Sequence, residues 1–402
     1  MKRTKRAVAA IAALSIITAA CGSSSKSATT TVPATTVPAT TVPPTTVPPT
    51  TAPTATDAPT TAPAATDAPT PTAAIGISAL DTNGDGKVQF GIAAAGPAND
   101  GAYYQAVVDA AKALSKQYGF EAPIVVDNIQ AADAATAMGD LAQQNVDVII
   151  VGASEIAEPL PALITKYPKI FWYCNCGAGF PANPGLAQST DNGAEIAYTA
   201  GYATGLLMKA KGTGTKTVFL GCCDLGFEKQ SYMAFELGLT DVDPTYTMTY
   251  VPTGNFPYDF DNTANATAAL QTAIDNGAVA VYPYLGGAHR PVVQAADAAG
   301  LITMSAGSST VCKSTEKLKY DIAVKFDGGD YVTAVMKAII AGTFKEGDIK
   351  VFKVGIDPEP GAVICKPTPE QQTAMDHIYK KIAAGDFAAK FGEISAKAFA
   401  KG

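Results

Sequence analysis

Basic charge is scarce in this chain, and that scarcity decides the first exclusion. Acidic side chains outnumber basic ones by 36 to 29, for a formal net charge of −7. Four of the basic residues, Lys2, Arg3, Lys5 and Arg6, are crowded into the first six positions. No basic face is left for nucleic acid. Histidine is scarcer still: His289 and His377 are the two present, and the second falls in a helical pattern over 370–382. Neither a Gly-x-Ser-x-Gly elbow nor a Walker-type phosphate loop occurs. An enzyme is therefore not expected, and neither is a cofactor. Long apolar runs are missing as well. The stretch at 7–17 is apolar, but a bilayer span takes about 20 residues.

What the N-terminal part does contain reads as an export signal over 1–20: a charged start, the apolar run, and the small-residue exit Thr18-Ala19-Ala20. Cys21 follows directly, then Gly22 and three serines. This arrangement resembles the bacterial lipobox, which implies diacylation of the Cys21 thiol. Two acyl chains give stable membrane anchoring where one gives marginal binding. From 28 to 74 the chain is almost only Thr, Pro, Ala and Val, with Thr-Thr-Val-Pro repeated. Such a segment cannot form a core and favours extended polyproline II geometry. The expectation is a lipid-anchored Thr/Pro-rich linker over 21–87, with a reach on the order of 100 Å at roughly 3.1 Å per residue.

Six further cysteines lie in the globular part: Cys174, Cys176, Cys222, Cys223, Cys312 and Cys365. In an exported protein they suggest disulfides. Cys312 with Cys365 is the preferred bridge, because both are expected in one lobe, and the other four allow three pairings. Metal is not expected at the Cys-Asn-Cys and Cys-Cys pairs, which lack the usual two-residue spacer of a zinc site. Asp81-Thr82-Asn83-Gly84-Asp85-Gly86 opens like a calcium loop. Its twelfth position, however, is Ile92 where a bidentate Glu is needed, so it reads as a polar turn.

From Val88 onward short apolar runs alternate with helical patterns. Strands are expected at 88–92, 124–126, 146–151, 170–173 and 186–190, with helices over 103–118, 134–143 and 159–166. A second series runs strand 217–220, 246–251, 279–284 and 301–304, with helices over 195–209, 228–237, 262–276 and 291–299. The strands are apolar on both faces, as parallel strands covered by helices are. The fold class is α/β, with two doubly wound parallel-sheet lobes and a hinge. The first lobe is expected over 88–190 and 324–350, the second over 191–323 and 351–402. Ligands of such sheets bind beyond the carboxyl ends of the strands, where this chain has small and polar loops, Ser154 among them.

The run Asn99-Asp100-Gly101-Ala102-Tyr103-Tyr104-Gln105 resembles the Asn-Asp-x-x-Phe-Asn-Gln signature of the basic membrane protein family. Lys166-Tyr167-Pro168, Tyr198-x-x-Gly201-Tyr202, Tyr250-x-x-Thr253-Gly254, Gly286-Gly287 and Ala323-Val324-Lys325 are similar to family segments in the same order. The resemblance spans about 88–387. It implies a type I periplasmic-binding fold and a monomeric, extracytoplasmic solute-binding lipoprotein on the bacterial cell membrane. It also implies partnership with the permease and ATPase subunits of an ABC importer. Characterised members often bind purine nucleosides, so the ligand is expected to be nucleoside-like. A sensor uncoupled from transport, or a receptor for a sugar or carboxylate, is the alternative. The family pocket then maps onto Asn99 and Asp100 as flanking polar groups and Tyr103, with Tyr104, as the stacking ring. Phe256 or Tyr258 would be the second ring, Gly286 and Gly287 the points of close backbone approach, and Lys325 a sugar contact. One departure is plain: Ala306-Gly307-Ser308-Ser309 stands where nucleoside binders carry ribose-gripping aspartates. Arg290, beside the glycine turn, allows an anionic ligand through paired bonds to a carboxylate or phosphate. A solvated helix start is its other reading.

Overall fold

The computed structural model describes residues 80–400 except Ala178 and Pro257. The export signal, Cys21 and most of the Thr/Pro linker lie outside the described residues.

The first sheet is wholly parallel. It is built from β1 (Phe90–Ala94), β2 (Ile124–Val126), β3 (Val148–Gly152), β4 (Phe171–Asn175), β5 (Leu186–Asp191) and β11 (Ile349–Phe352), in the order β11-β5-β4-β3-β1-β2. Every residue of β1 and β3 is buried, which is why these strands read as unbroken apolar runs. Helix α1 (Tyr103–Tyr118) turns Val107, Val108, Ala111 and Leu114 onto this sheet at helical spacing. Helix α8 (Gly328–Ile340) packs beside α1 and buries Val332, Val335, Met336 and Ile339 in the same core. Helices α2 (Ala134–Ala142) and α3 (Leu160–Lys166) cover the opposite face with Met138, Leu141, Leu160 and Leu163.

The second sheet joins β6 (Lys216–Gly221), β7 (Thr247–Pro252), β8 (Ala278–Pro283) and β9 (Ile302–Thr303) in the parallel order β7-β6-β8-β9. A bridge from Met304 to Ile322 extends it to β10 (Ile322–Lys325), which runs antiparallel to β12 (Gly361–Ile364). Helices α6 (Thr263–Asp275) and α7 (His289–Ala298) cover one face. On the other lie α4 (Gly193–Lys211), α5 (Gly226–Val242), α9 (Pro369–Ala383) and α10 (Ala388–Ala398). Helices α4 and α5 meet through glycine: a Cβ on Gly201 would stand 1.9 Å from the Phe235 carbonyl oxygen, and one on Gly238 would stand 2.1 Å from that of Tyr198.

The chain crosses between the sheets three times. Pairing of β10 with β12 puts 324–325 in the second sheet, so that crossing follows Lys325 and not residue 323. Pairing of β11 with β5 carries the first sheet's share on to Phe352, two residues past the expected 350. Helix α8 starts at the second crossing, where Asp327 accepts the N–H groups of Gly329 and Asp330 (2.9 and 3.3 Å). The same carboxylate accepts the N–H of Ser309 at 3.0 Å, tying the loop after β9 to the first lobe's helix.

Candidate functional site

A cavity of about 160 Å³ opens at the carboxyl ends of both sheets. Its wall takes residues from the loops that follow β1, β3, β4 and β5 on one side and β6, β7, β8, β9 and β10 on the other. This is the crevice position that parallel α/β sheets reserve for ligands.

The first lobe's wall starts at Asp100. Its carboxylate accepts the N–H groups of Ala102, Tyr104 and Gln105 at 2.8, 3.3 and 3.0 Å, capping α1 and aiming its first turn into the cavity. Burial raises the Asp100 pKa, and those three backbone donors pull it part of the way back. Tyr103 and Tyr104 stand edge to face, 5.5 Å between ring centres. The Tyr103 hydroxyl accepts from Asn175 Nδ2 at 2.7 Å, and Asn175 Oδ1 accepts from Ser189 Oγ at 3.0 Å. Ser189 in turn meets the Tyr173 hydroxyl at 2.7 Å. This network fixes the Tyr103 ring from behind. Tyr104 lies over Gly96, where an added Cβ would come within 2.3 Å of its ring, and its hydroxyl donates to Glu155 Oε1 at 3.2 Å. The other Glu155 oxygen is buried with no hydrogen-bond partner.

The second lobe contributes Phe227, Phe260 and Tyr284, with Phe227 stacked on Phe260 at 6.3 Å. Phe326, on the second crossing, stacks on Tyr284 at 5.3 Å. At the floor, where β5 ends, burial raises Asp191 to about 6, and the nearby Tyr331 hydroxyl partly offsets the rise. That hydroxyl makes no well-formed hydrogen bond of its own, although Tyr331 is 1% exposed.

Of the residues singled out from sequence, Asp100, Tyr103, Tyr104, Ser154 and Gly286 line this cavity. The others do not. Asn99 is exposed and is not part of the wall. Phe256 is 79% exposed and Tyr258 40%, because their loop turns outward after β7, and Phe260 takes the inward position. Gly287 donates its N–H to Asp261 Oδ1, holding the glycine turn against the neighbouring loop. Arg290 swings away to pair with Glu316 on the surface, so the solvated helix start is its place. Lys325 donates to the Pro358 carbonyl at 2.7 Å and reaches no cavity atom. His289 is buried, bonded through Nδ1 to the Pro283 carbonyl at 3.0 Å and stacked on Tyr320. Glu155, Asn175 and Tyr284 fall in strand-end loops that the sequence already placed along the cleft, though not among the named contacts, whereas Asp191, Phe227 and Tyr331 were not assigned to the site from sequence. The available signal was that most of them stand at or just beyond a strand's carboxyl end.

Among the described residues no group of three or more His, Cys, Asp or Glu side chains is arranged to hold a metal ion. The calcium-like turn spends Asp81 on the N–H groups of Gly84, Asp85 and Gly86. The sulfurs of Cys312 and Cys365 face one another with Cα atoms 4.8 Å apart, within the span of a disulfide. Those of Cys174 and Cys176 do the same at a Cα separation of 5.1 Å, and Cys222 meets its chain neighbour Cys223.

The family model for ABC transporter substrate-binding proteins of the PnrA-like, or Bmp, type matches residues 87–354. The chain belongs to the Bmp family. Bmp proteins are solute-binding components of ABC transporters that capture small ligands outside the cytoplasm and work with permease and ATPase subunits, and theirs is not an enzyme family. No curated protein sequence matches this Bmp chain. Solved structures share its fold. An ABC transporter solute-binding protein from Aeropyrum pernix K1 superposes with a TM-score of 0.63 at 12% identity, over 77% of this chain and 99% of that one. One from Conexibacter woesei gives 0.56 at 20% identity, over 74% and 97%. A transcriptional activator of the comK gene from Bacillus halodurans also gives 0.56, at 14% identity over 74% and 98%. At these identities the likeness speaks for the type I periplasmic-binding architecture alone. No helix among the described residues is long and apolar enough to cross a membrane.

Proposed function

We propose that this chain is the receptor of an ABC importer, held at the extracytoplasmic face of the membrane by a diacylated Cys21, and that it takes a flat, nucleoside-like solute into the cleft. The observation that carries the reading is that rings from both lobes converge on one cavity: Tyr103 and Tyr104 from the first, Phe227, Phe260 and Tyr284 from the second. Stacked rings recognise a planar face with little loss of side-chain freedom. The fixed polar atoms around them, Asn175 and Ser154 among them, would read its edge. Closure of the two lobes by a hinge motion then sequesters the solute, and the permease distinguishes the closed form. Ligand can drive that change only through tighter binding to the closed state. In the same exported setting we assign Cys312–Cys365 as a disulfide.

Thermal melting of the purified protein against nucleosides, bases, sugars and small carboxylates tests the reading. A true ligand at a hundredfold over its dissociation constant stabilises by roughly 2.7 kcal/mol. Purine nucleosides or related heterocycles are expected to raise the melting temperature. A shift produced by sugars or carboxylates alone would overturn the flat-ligand assignment.

A further inference from the structure

Three carboxylates line the cavity, Asp100, Glu155 and Asp191, and among the described residues no lysine, arginine or histidine does. The basic groups nearest in sequence to the site are used elsewhere, Lys229 on Asp224, Arg290 on Glu316 and Lys325 on the Pro358 carbonyl. Asp100 has its capping bonds to occupy it. Glu155 has one oxygen bonded to Tyr104 and one, buried, with no partner. Asp191 has only the Tyr331 hydroxyl beside it, which offsets part of the effect of its burial. Buried polar groups left open in this way are sites awaiting a donor. Charge also accumulates across the mouth, where Asp100 of the first lobe is within electrostatic reach of Asp261 of the second. Bringing the lobes together concentrates negative potential, and an anionic solute would add to it.

Resting on the receptor reading above, we infer that the solute carries a positive charge next to its flat face, and that an ammonium or charged heterocycle sits among Glu155, Asp191 and the aromatic rings. The chemistry is that of a cation held by ring faces and carboxylates together, with the rings attracting it through their negative π faces and Glu155 Oε2 accepting a hydrogen bond from its charged N–H or contacting its charged edge. A neutral nucleoside satisfies the rings and can donate a hydrogen bond to the Glu155 oxygen, but it leaves the carboxylate charge uncompensated. A cation satisfies both, and it removes the repulsion that closure would otherwise build. Charged partners of opposite sign on a solute give specificity as much as affinity.

Matched pairs separate charge from shape. Calorimetric titration of the purified protein would compare 1-methyladenosine, cationic at pH 7, with adenosine, and benzylammonium with benzyl alcohol. The expected result is at least tenfold tighter binding of the cation in each pair, a difference of about 1.4 kcal/mol. In Glu155→Gln and Asp191→Asn, which preserve side-chain shape, the ratio of affinities between each cation and its neutral partner should shrink severalfold. The cooperative melt of each variant shows that it is folded. Equal or tighter binding of the neutral members overturns the cationic assignment and leaves the flat-ligand receptor standing. Failure of every flat compound, charged or neutral, sinks the receptor reading and the assignment with it.

Discussion

Asp191 pays for its position with stability. Its carboxyl has a pKa of about 6 in the fold, against an ordinary value of 3.8. Between pH 4 and 6 the native state therefore binds more protons than the unfolded chain, so stability falls as pH rises through that window, and the full penalty is present above it. The groups facing it, Tyr103, Tyr282, Tyr284, Tyr331 and the carboxylate of Glu195, include no base. Asp191→Asn should then stabilise the ligand-free protein at pH 7 by about 1–2 kcal/mol, with the partial exposure of the site taken into account. His289 has the opposite slope. Burial lowers it to about 4, so its contribution is complete above the unfolded value near 6.5 and is lost as pH falls toward 4. In the wild type the two trends oppose one another. In Asp191→Asn, urea midpoints at pH 7, 6 and 5 should decline steadily, and flat midpoints would refute this assignment of the two groups. Neither role was visible in the sequence. Asp191 reads as an ordinary polar residue at a strand end, and His289 reads as part of a helix start.

At the level of elements, most of what matters was legible. The helix expected over 103–118 is found at those residues, because its apolar stripe and the Asn99-Asp100 start both point the same way. The first strand is displaced by two residues, from 88–92 to Phe90–Ala94. Val88 is buried without being part of the ladder, and hydrophobicity reports burial, not pairing. Helices α8 and α10 and strands β11 and β12 were not anticipated, and short half-exposed strands such as β11 have no clear period. Packing between elements was least accessible. The crossing of α4 and α5 depends on Gly201 and Gly238 facing backbone carbonyls on the partner helix, which sequence shows only as two glycines inside helical patterns. Gly201→Ala must force the helices apart and is expected to destabilise by about 1–3 kcal/mol or more, where a glycine-to-alanine change in an open helix would stabilise. Chemical denaturation of the variant decides between these signs.

For the whole molecule, the proposed Cys312–Cys365 bridge would stitch the second lobe where the chain returns to it. Cys312 and Cys365 are 53 residues apart, and a bridge between them encloses the second crossing, α8, β11 and the third crossing. On the loop-entropy account a closed loop of that length stabilises by about 4 kcal/mol. The double variant Cys312→Ala, Cys365→Ala should lose an amount of that order in urea unfolding. It should also become insensitive to reductant at this site. A loss near zero would mean that the crossings are held by packing alone. The local order of the chain, from an export-like start and a proline-rich stretch to alternating strands and helices and an Asp-capped aromatic turn, was determined by the sequence alone, because propensity, periodicity and capping act between residues a few positions apart. The wall of the cleft and the sign of its field were decided only by the tertiary structure. They depend on Asp100, Glu155 and Asp191 meeting from three separate loops, and on Arg290 and Lys325 finding partners elsewhere. Electrostatics sums over space, and the chain's spacing does not encode which way a long side chain will swing.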